Sequence, residues 1–259
     1  MDADAPTPDA GSTPAARPRT EPRALRAEPD APLTVVDLTG GEPVPYERAW
    51  AWQRDLVARR AAGDVGDTVL LLEHPPTYTM GKQADRANVR YDDATLAERG
   101  IEVVDVDRGG DVTYHGPGQL VGYPIVQLAG PRVVDHVRVL EQLNIDLLAE
   151  HGLEGTRIPD YTGVWVGSAK VTAIGVRVSS GWVTQHGWAT NVAPDMDDWA
   201  GIVACGIADE DKTVGSLAGL GVATSVTAEA TRTSRLLAAL YGAEVVPATP
   251  AALGLDRDG

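Results

Sequence analysis

The sequence predicts a single α/β domain whose mixed, largely antiparallel sheet is flanked by helices. Amphipathic segments with the periodicity of an α-helix are separated by short runs of β-branched residues and leucine, which indicate buried strands. Several of these runs follow one another across a short turn, as the strands of hairpins do. Helices and single strands therefore do not alternate regularly, and the pattern is not that of a doubly wound fold.

The predicted domain lies between two ends of different composition. Residues 1–32 contain seven prolines and eight alanines, with almost no large apolar side chain. Such a segment cannot bury enough surface to offset the entropy lost on ordering, so we expect a disordered tail. We expect residues 246–259 to form a flexible C-terminal tail, which leaves 33–245 as the domain. The chain of 259 residues is long enough for a sizeable core.

Strands and helices alternate in the first half of the domain. Gly63 ends the first helix, because glycine accepts the left-handed conformation that closes a helix. Pro75 and Pro76 stop the next strand, since proline has no N–H to donate to a sheet. In chain order the predicted elements are a strand over 33–38, a helix over 45–62, a strand over 67–73, a helix over 91–100 and a strand over 101–106.

Neighbouring strands are more frequent in the second half. Leu140, Leu143 and Leu147 recur at helical spacing and fall on one stripe of a long helix. The Ser-Ser-Gly sequence at 179–181 separates two apolar runs and predicts an antiparallel pair. The predicted elements are two strands within 112–128, a helix over 132–152, strands over 164–178 and 182–192, and a closing helix over 227–241.

The acidic composition argues against several classes of partner. The chain carries 22 Lys and Arg against 37 Asp and Glu, a net charge of −15, and its pI is near 4.6. Nucleic acids and anionic membrane surfaces are recognised by clustered cations, so neither is expected as a partner. No apolar run approaches the roughly 20 residues of a membrane-spanning helix, and the N-terminus lacks the apolar region of a secretory signal. We therefore expect a cytoplasmic protein.

A glycine-rich run marks the clearest candidate site. Residues 108–119 read Arg-Gly-Gly-Asp-Val-Thr-Tyr-His-Gly-Pro-Gly-Gln and lie between two apolar strands. Glycine lets the backbone approach a ligand closely, and the polar side chains beside it could bind one. A decorated hairpin with a glycine bulge is the alternative. The run is not a phosphate-binding loop, because it lacks a Gly-Lys-Ser/Thr ending and a following helix.

Three isolated residues are candidates for chemistry, and each also has a structural interpretation. Lys170 lies in a run that is apolar at nearly every position, so its ammonium either reaches an edge or points into a cleft. His186 is either a wall residue of a site or a satisfied core histidine. Cys205 is the only cysteine, which excludes an internal disulfide framework and a cysteine-cluster metal site. It is either a small buried residue or a thiolate activated by a nearby cation.

Together with other motifs, the glycine-rich run resembles the octanoyltransferases, a branch of the biotin/lipoate protein ligase superfamily. The motifs occur in the family's order and cover about residues 65–220. The resemblance implies the catalytic-domain fold of that superfamily. The motifs that carry it are 75–81 (Pro-Pro-Thr-Tyr-Thr-Met-Gly), 108–119, 123–125 (Tyr-Pro-Ile), 162–175, which contains Lys170, 186–192, and 205–207 (Cys-Gly-Ile).

In this family an octanoyl group passes from the phosphopantetheine of acyl carrier protein to a cysteine, and then to a specific lysine of a lipoyl carrier domain. The resemblance implies that Cys205 is the nucleophile and that Lys170 lowers the pKa of its thiol. It implies no metal, ATP or other cofactor, since the acyl group moves between carriers of similar energy. The positions that match the family's substrate-binding segments are Arg108, Gly109, Gly110, Asp111, Val112, Thr113, Tyr114, His115, Ala173, Ile174, Gly175, Gly187, Trp188 and Ala189.

The resemblance also implies the partners. The donor is octanoyl-acyl carrier protein, and the acceptors are the lipoyl domains of 2-oxoacid dehydrogenase complexes and the glycine cleavage H protein. The transfer is the first step of endogenous protein lipoylation, and we expect a monomer to perform it. Because an acidic enzyme repels an acidic carrier at long range, docking requires a local positive patch. Lys82, Arg86 and Arg90 are predicted to supply it.

Three other functions remain as alternatives. An ATP-dependent lipoate or biotin protein ligase would share the fold and the lysine but needs no nucleophilic cysteine, so Cys205 argues against it. A thioester hydrolase would use Cys205 and His186 to release free octanoate, and a non-catalytic carrier of lipoyl groups would need neither. The chain also departs from the family pattern, with Ala204 in place of the usual proline and Thr190 in place of leucine. Trp188 stands where a smaller residue or Phe is usual, so the acyl chain length is not defined.

Overall fold

The computed structural model of the chain describes residues 21–203 and 211–255. This part of the chain forms four α-helices, which are α1 (Tyr46–Ala62), α2 (Asp93–Arg99), α3 (Val133–Ala149) and α4 (Val226–Tyr241). Its strands are β1 (Leu33–Asp37), β2 (Thr68–Leu72), β3 (Thr77–Met80), β4 (Glu102–Asp105), β5 (Val112–His115), β6 (Gln119–Ile125), β7 (Thr156–Ile158), β8 (Tyr161–Val166), β9 (Ala169–Val178), β10 (Thr184–Asn191), β11 (Thr213–Val214) and β12 (Val245–Pro247). None of these helices has the length and apolar character of a membrane-spanning segment.

The strands form two sheets. The main sheet has nine strands, of which eight follow the order β12-β1-β2-β6-β10-β9-β8-β7 and the ninth, β11, pairs with β9. Its pairs from β2 to β7 are antiparallel, whereas β1 is parallel to both of its neighbours and β11 is parallel to β9. A smaller sheet has the order β4-β3-β5. The predicted α/β domain with a mixed, largely antiparallel sheet is therefore confirmed.

The main sheet is covered by helices on both faces. Strand β2 illustrates the reason, because all five of its residues are apolar or small and are buried. Its Val69 and Leu71 pack into the core formed with α3 and α4, while Leu70 and Leu72 pack into the core formed with α1. A third apolar cluster joins the small sheet to α2 and to the short 3-10 helix Met196–Gly201.

One predicted strand is two strands in the structure. The run over 164–178 was expected to be continuous, but it turns at Gly167 and Ser168, so that β8 and β9 form a hairpin. Gly167 has a φ of 58°, in the left-handed region that glycine accepts readily. The small-sheet strand β3, which follows Pro75 and Pro76, is not among the predicted elements. Both differences reshape the surroundings of Lys170 and of the glycine-rich run.

The packed structure extends beyond the predicted boundaries at 33 and 245. On the N-terminal side, Leu25 is fully buried in the main core and Arg26 is 1% exposed. Arg26 lies there because its Nε donates to a carboxylate oxygen of Asp67 at 2.7 Å, and Arg60 Nε donates to the other oxygen at 2.7 Å. On the C-terminal side, β12 pairs with β1, and Leu255 is buried against α1 and its neighbours.

A buried histidine on α3 makes the stability of the fold depend on pH. His136 is fully buried, and neither ring nitrogen has a hydrogen-bond partner in the described part of the chain. Burial lowers its pKa to about 4, from the usual value near 6.5, because a low-dielectric environment disfavours the imidazolium. The unfolded chain therefore binds more protons between these values, and stability is lost as the pH falls from about 6.5 towards 4.

We expect His136→Leu to remove this pH dependence. At pH 5 the linkage contribution is about 2 kcal/mol, so the variant should gain about that much stability relative to wild type between pH 8 and pH 5. Urea unfolding at the two pH values measures the difference. His151→Leu is the control, since His151 is paired with Glu229. If His136→Leu keeps the wild-type pH dependence, His136 is not held neutral in the folded protein.

Candidate active site

A cavity of about 380 Å³, including its open mouth, lies where the small sheet meets the main sheet and α1. One wall is mostly apolar and comes from β9 and β10, and the opposite wall is polar. The lining residues are Tyr46, Arg108, Thr113, His115, Tyr123, Ala173, Ile174, Gly175, His186, Gly187, Trp188 and Ala189.

The apolar wall is built from facing pairs on two antiparallel strands. Ala173 pairs with Ala189, and Gly175 pairs with Gly187, so that four small residues share one patch of the sheet. Glycine is required at position 187, because a Cβ there would lie 2.1 Å from the carbonyl oxygen of Gly122 on β6. The small residues thus let strand backbones approach closely and leave a shallow apolar surface above them.

Arg108 begins the glycine-rich run and is almost buried, with 6% of its surface exposed. Its Nη2 donates to the backbone oxygen of Thr79 at 2.7 Å and to the Thr79 hydroxyl at 2.8 Å. Its Nη1 donates to the carbonyl oxygen of Gly109 at 3.1 Å. Strand β3 therefore fixes the guanidinium in the cavity wall, where its charge faces the polar half of the site.

Buried histidines also belong to the polar wall. His115 Nδ1 donates to the amide oxygen of Gln119 at 2.8 Å, and His74, just behind it, donates to the backbone oxygen of Val44 at 2.6 Å. Burial lowers the pKa of His74 to about 4 and the pKa of His115 well below its usual value. Both rings are therefore neutral near pH 7, and the cation in this wall is Arg108.

His186 is held in an unusual backbone conformation. It lies within β10 with a φ of 59°, a region that residues other than glycine seldom occupy. Its N–H donates to Gln53 Oε1 at 2.8 Å, and its Nε2 donates to Asp107 at 2.8 Å. Asp107 also pairs with Arg177 at 2.8 Å. Burial lowers the pKa of His186 to about 4 despite the adjacent carboxylate, so the sequence-based interpretation as a wall residue agrees with its position.

Lys170 lies on β9 near the cavity but does not line it. It is 6% exposed, and its Nζ lies 5.6 Å from the centre of the Trp165 ring, within reach of a cation–π contact. Its side chain has room because position 163 is glycine, where a Cβ would lie 2.7 Å from Lys170 Cε. Within the described residues no carboxylate pairs with it. The Lys170 side chain is therefore buried against the Trp165 ring. It lies three positions before Ala173, which lines the cavity on the same strand.

Cys205 lies outside the described residues, but the chain on either side of it is described. On the N-terminal side, the Val203 N–H donates to the carbonyl oxygen of Asn88 at 2.8 Å. On the C-terminal side, Val214 of β11 lies opposite Lys170 of β9. The segment that contains Cys205 thus connects the small sheet to the strand beside Lys170.

The structure brings together nine of the fourteen positions predicted to bind substrate. Arg108, Thr113 and His115 line one side, and the positions from β9 and β10 line the other, namely Ala173, Ile174, Gly175, Gly187, Trp188 and Ala189. The other five predicted positions are not among the lining residues, and they are Gly109, Gly110, Asp111, Val112 and Tyr114. Two lining tyrosines are not among the predicted positions: Tyr123 belongs to the motif 123–125 but was given no binding role, and Tyr46 lies on a helix whose pattern indicates only packing.

Comparison with known proteins agrees with this geometry. Residues 45–235 match the family described as the lipoyl protein ligase A/B catalytic domain. An octanoyltransferase from Gloeobacter violaceus is 50% identical over 186 residues, covering 71% of this chain and 80% of that protein. One from Rubrobacter xylanophilus is 51% identical over 164 residues, covering 63% and 74%.

A solved structure supports the fold. The bi-partite lipoate protein ligase of Thermoplasma acidophilum, described with its E2 lipoyl domain, superposes with a TM-score of 0.63 at 15% identity, covering 87% of this chain and 90% of that one. At this identity the likeness concerns the fold alone, and it confirms the catalytic-domain fold expected of the superfamily. The matches in sequence carry the assignment further: the chain belongs to the lipoyl protein ligase A/B catalytic-domain family and, within it, to the octanoyltransferases.

Proposed function

We propose that this octanoyltransferase takes its acyl group from octanoyl-acyl carrier protein, holds it as a thioester on Cys205, and passes it to the target lysine of a lipoyl domain. The observation that carries the proposal is the arrangement on β9. Lys170 is buried on this strand, Ala173 of the same strand lines the cavity, and β11, which follows Cys205 in the chain, pairs beside Lys170. The cation and the acyl site thus share one strand, and the chain that follows Cys205 pairs with that strand.

The two walls of the cavity suit an acyl thioester. The patch formed by Ala173, Gly175, Gly187 and Ala189 offers an apolar surface to a hydrocarbon chain. At the other side Arg108 offers a hydrogen-bond donor and a positive charge, and the neutral ring of His115, whose Nδ1–H is bound to Gln119, offers an acceptor at Nε2. A site that is apolar with a few convergent polar groups is typical of small-molecule binding.

The chemistry balances without a further reactant. The Cys205 thiolate attacks the thioester carbonyl, the carrier's phosphopantetheine thiol leaves, and the thiol proton of Cys205 ends on that leaving group. The neutral amine of the acceptor lysine then attacks the new thioester, an amide forms, and the amine's proton returns to the Cys205 sulfur. Within each step a buried lysine such as Lys170 can accept the proton from the attacking group and deliver it to the sulfur that leaves. The proposal accordingly includes no ATP, metal or other cofactor.

The acyl-enzyme is tested by intact-protein mass after mixing with octanoyl-acyl carrier protein. We expect wild type to gain one octanoyl group and to lose it when a lipoyl domain is added. Cys205→Ser should gain none and should show no measurable turnover with the lipoyl domain. The readout is unambiguous because Cys205 is the only cysteine of the chain.

Other results would contradict the proposal in distinct ways. Octanoylated lipoyl domain without an adduct on the enzyme would indicate direct transfer and would leave Cys205 as a packing residue. Release of free octanoate without an acceptor would favour a hydrolase. Modification of the lipoyl domain from free octanoate, dependent on ATP, would favour a ligase.

The donor is predicted to dock beside the segment that leads to Cys205. Lys82, Arg86 and Arg90 are exposed, and the Arg90 N–H donates to the carbonyl oxygen of Gly201 at 2.8 Å, so this loop contacts that segment. Exposed cations attract an acidic carrier in an otherwise acidic protein. We expect Arg86→Glu with Arg90→Glu to raise the KM for octanoyl-acyl carrier protein by about tenfold at low salt, with kcat nearly unchanged.

The control for docking is a small donor. Octanoyl-pantetheine carries the thioester without the protein, so the double variant should use it as well as wild type does. An unchanged KM for the protein-bound donor would show that the carrier does not bind at this loop.

A further inference from the structure

Strand β5 has two faces, and only one of them belongs to the cavity. Successive side chains of a strand point to opposite faces. Thr113 and His115 line the cavity, whereas Val112 and Tyr114 are buried in the apolar cluster of the small sheet. The predicted substrate-binding run therefore contains residues that are directed away from the substrate site.

Tyr114 contacts the short helix that precedes Cys205. Its hydroxyl donates to Asp198 Oδ2 at 2.9 Å, and Arg99 Nη1 donates to Asp198 Oδ1 at 2.9 Å. Asp198 is 7% exposed and belongs to the 3-10 helix Met196–Gly201. Both carboxylate oxygens are thus held, one by the glycine-rich run and one by α2.

Two further tyrosines hold the backbone of the same helix. The Tyr78 hydroxyl donates to the carbonyl oxygen of Asp198, and the Tyr91 hydroxyl donates to that of Asp197 at 3.0 Å. The helix lies so close to these rings that a Cβ at Gly201 would be 2.2 Å from the Tyr78 hydroxyl and 2.4 Å from the Tyr91 ring. The position of this helix is consequently set by the small sheet and its flanking loop.

Asp111 provides a second connection nearer to Cys205. Asn88 Nδ2 donates to Asp111 Oδ2 at 2.8 Å, and the carbonyl oxygen of Asn88 accepts from the Val203 N–H at 2.8 Å. A β-bridge between Val89 and Ile202 lies between these contacts. Two residues of the glycine-rich run therefore act on the stretch 196–203, which ends two positions before Cys205.

We propose that Tyr114 and Asp111 are positioning residues for the Cys205 segment and do not contact the substrate. Through Asp198 and Asn88 they fix the stretch 196–203, and so set where the chain enters the segment that carries the nucleophile. The run 108–115 then has two tasks, with Arg108, Thr113 and His115 facing the substrate and Tyr114 and Asp111 supporting the stretch 196–203. The inference rests on the proposed role of Cys205.

The most specific test of the positioning role removes only the hydroxyl oxygen of Tyr114. Tyr114→Phe keeps the buried ring and deletes the hydrogen bond to Asp198, and we expect kcat to fall about tenfold with KM unchanged, because small misplacements of a reacting group are costly. The pH profile of Cys205 alkylation by iodoacetamide should move to higher pH, since a loosened segment holds the thiol less constantly near Lys170. Amide hydrogen exchange over 196–203 should become about tenfold faster.

Matched variants separate positioning from general destabilisation. Tyr241→Phe makes the same change at a buried tyrosine of α4, remote from this segment, and should leave turnover, alkylation and exchange at wild-type values. Asp111→Asn keeps the volume but removes the charge, and should speed exchange over 196–203 in the same direction as Tyr114→Phe. Wild-type exchange and a wild-type alkylation profile in a folded Tyr114→Phe variant would overturn the inference.

Failure of the proposed function would look different. If Cys205→Ser remains active, or if Lys170→Met leaves the alkylation profile unchanged, the roles of those two residues are wrong. The exchange measurement still decides whether Tyr114 and Asp111 hold the segment, because it depends on neither residue.

Discussion

Lys170→Met is expected to lower kcat/KM for octanoyl transfer by about 10²–10⁴-fold, the usual contribution of a group that moves protons in a transition state. Methionine keeps the length and the apolar stem of lysine, so the packing against Trp165 and Gly163 is retained. What is lost is the ammonium, whose Nζ lies 5.6 Å from the Trp165 ring centre in a site that is 6% exposed. Single-turnover acylation of Cys205 and discharge to a lipoyl domain measure the two half-reactions separately.

The chain offers a matched control for this prediction. Lys212 is one of only three lysines, and its Nζ also lies over an aromatic ring, 5.2 Å from the centre of Tyr161. Lys212→Met should therefore change turnover by less than about threefold, since the charge it removes is already paired with the Asp211 carboxylate at 3.4 Å. Full activity in Lys170→Met would contradict the proposed mechanism.

A further variant divides the role of Lys170 in two. Arginine keeps the positive charge but does not release its proton near neutral pH. If Lys170 acts only by charge, Lys170→Arg should retain acylation; if it carries the proton, this variant should be as slow as Lys170→Met.

Asp67→Ala is expected to lower the free energy of unfolding by about 3–5 kcal/mol, the cost of leaving buried charge uncompensated. The Asp67 side chain is fully buried, and it accepts from Arg26 and Arg60 at 2.7 Å each and from the Gln127 N–H at 2.9 Å. Its removal leaves two guanidinium groups without their shared anion. Equilibrium urea denaturation measures the loss.

The same substitution at an exposed pair is the control. Asp55 pairs with Arg59 at 2.9 Å on α1, and the Asp55 side chain is 51% exposed. An exposed pair of this kind contributes about 0.2–1 kcal/mol, so Asp55→Ala should change stability by no more than that. Equal losses in the two variants would mean that the Asp67 cluster is not a desolvated ion network.

The elements that periodicity predicted well are those whose own side chains form the core. Helices α1, α3 and α4 begin and end within a few residues of the predicted bounds, because each carries its apolar stripe in its own sequence and α1 and α4 also end at a glycine. The hairpin of β8 and β9 was missed for the opposite reason. Its two-residue turn at Gly167 and Ser168 lies inside a run that is apolar on both sides, so the apolar pattern does not show where one strand ends and the next begins.

The burial of residues before position 33 was not predicted, because the average composition of residues 1–32 does not reveal single residues that are buried. Leu25 and Arg26 are two residues among many prolines and alanines, and nothing nearby predicts their burial. Arg26 is buried only because Asp67, which follows α1, presents a carboxylate that the fold brings to it. Ion pairs between segments that are distant in sequence cannot be predicted from the local pattern of residues.

The candidate site was predictable as far as its motifs reach. The predicted substrate-binding positions on β9 and β10 line the cavity, as Arg108 does, whereas Tyr46 comes from a helix whose pattern indicates only packing. The alternation of side chains between the two faces of β5 is also predictable from the sequence. Once residues 112–115 are taken as a strand, Tyr114 must face away from Thr113 and His115, and a ligand cannot contact all three side chains in the same way.

The parallel pair at the edge of the main sheet has a consequence for the order of events during synthesis. Leu33 of β1 lies opposite Val245 of β12, so β1 leaves the ribosome long before its outer neighbour is made. Until that neighbour emerges, β1 can pair only with β2, and its other edge presents free N–H and C=O groups. The nascent chain thus carries an unpaired strand edge until β12 has been synthesised, which makes this edge the place where premature pairing with another chain is easiest.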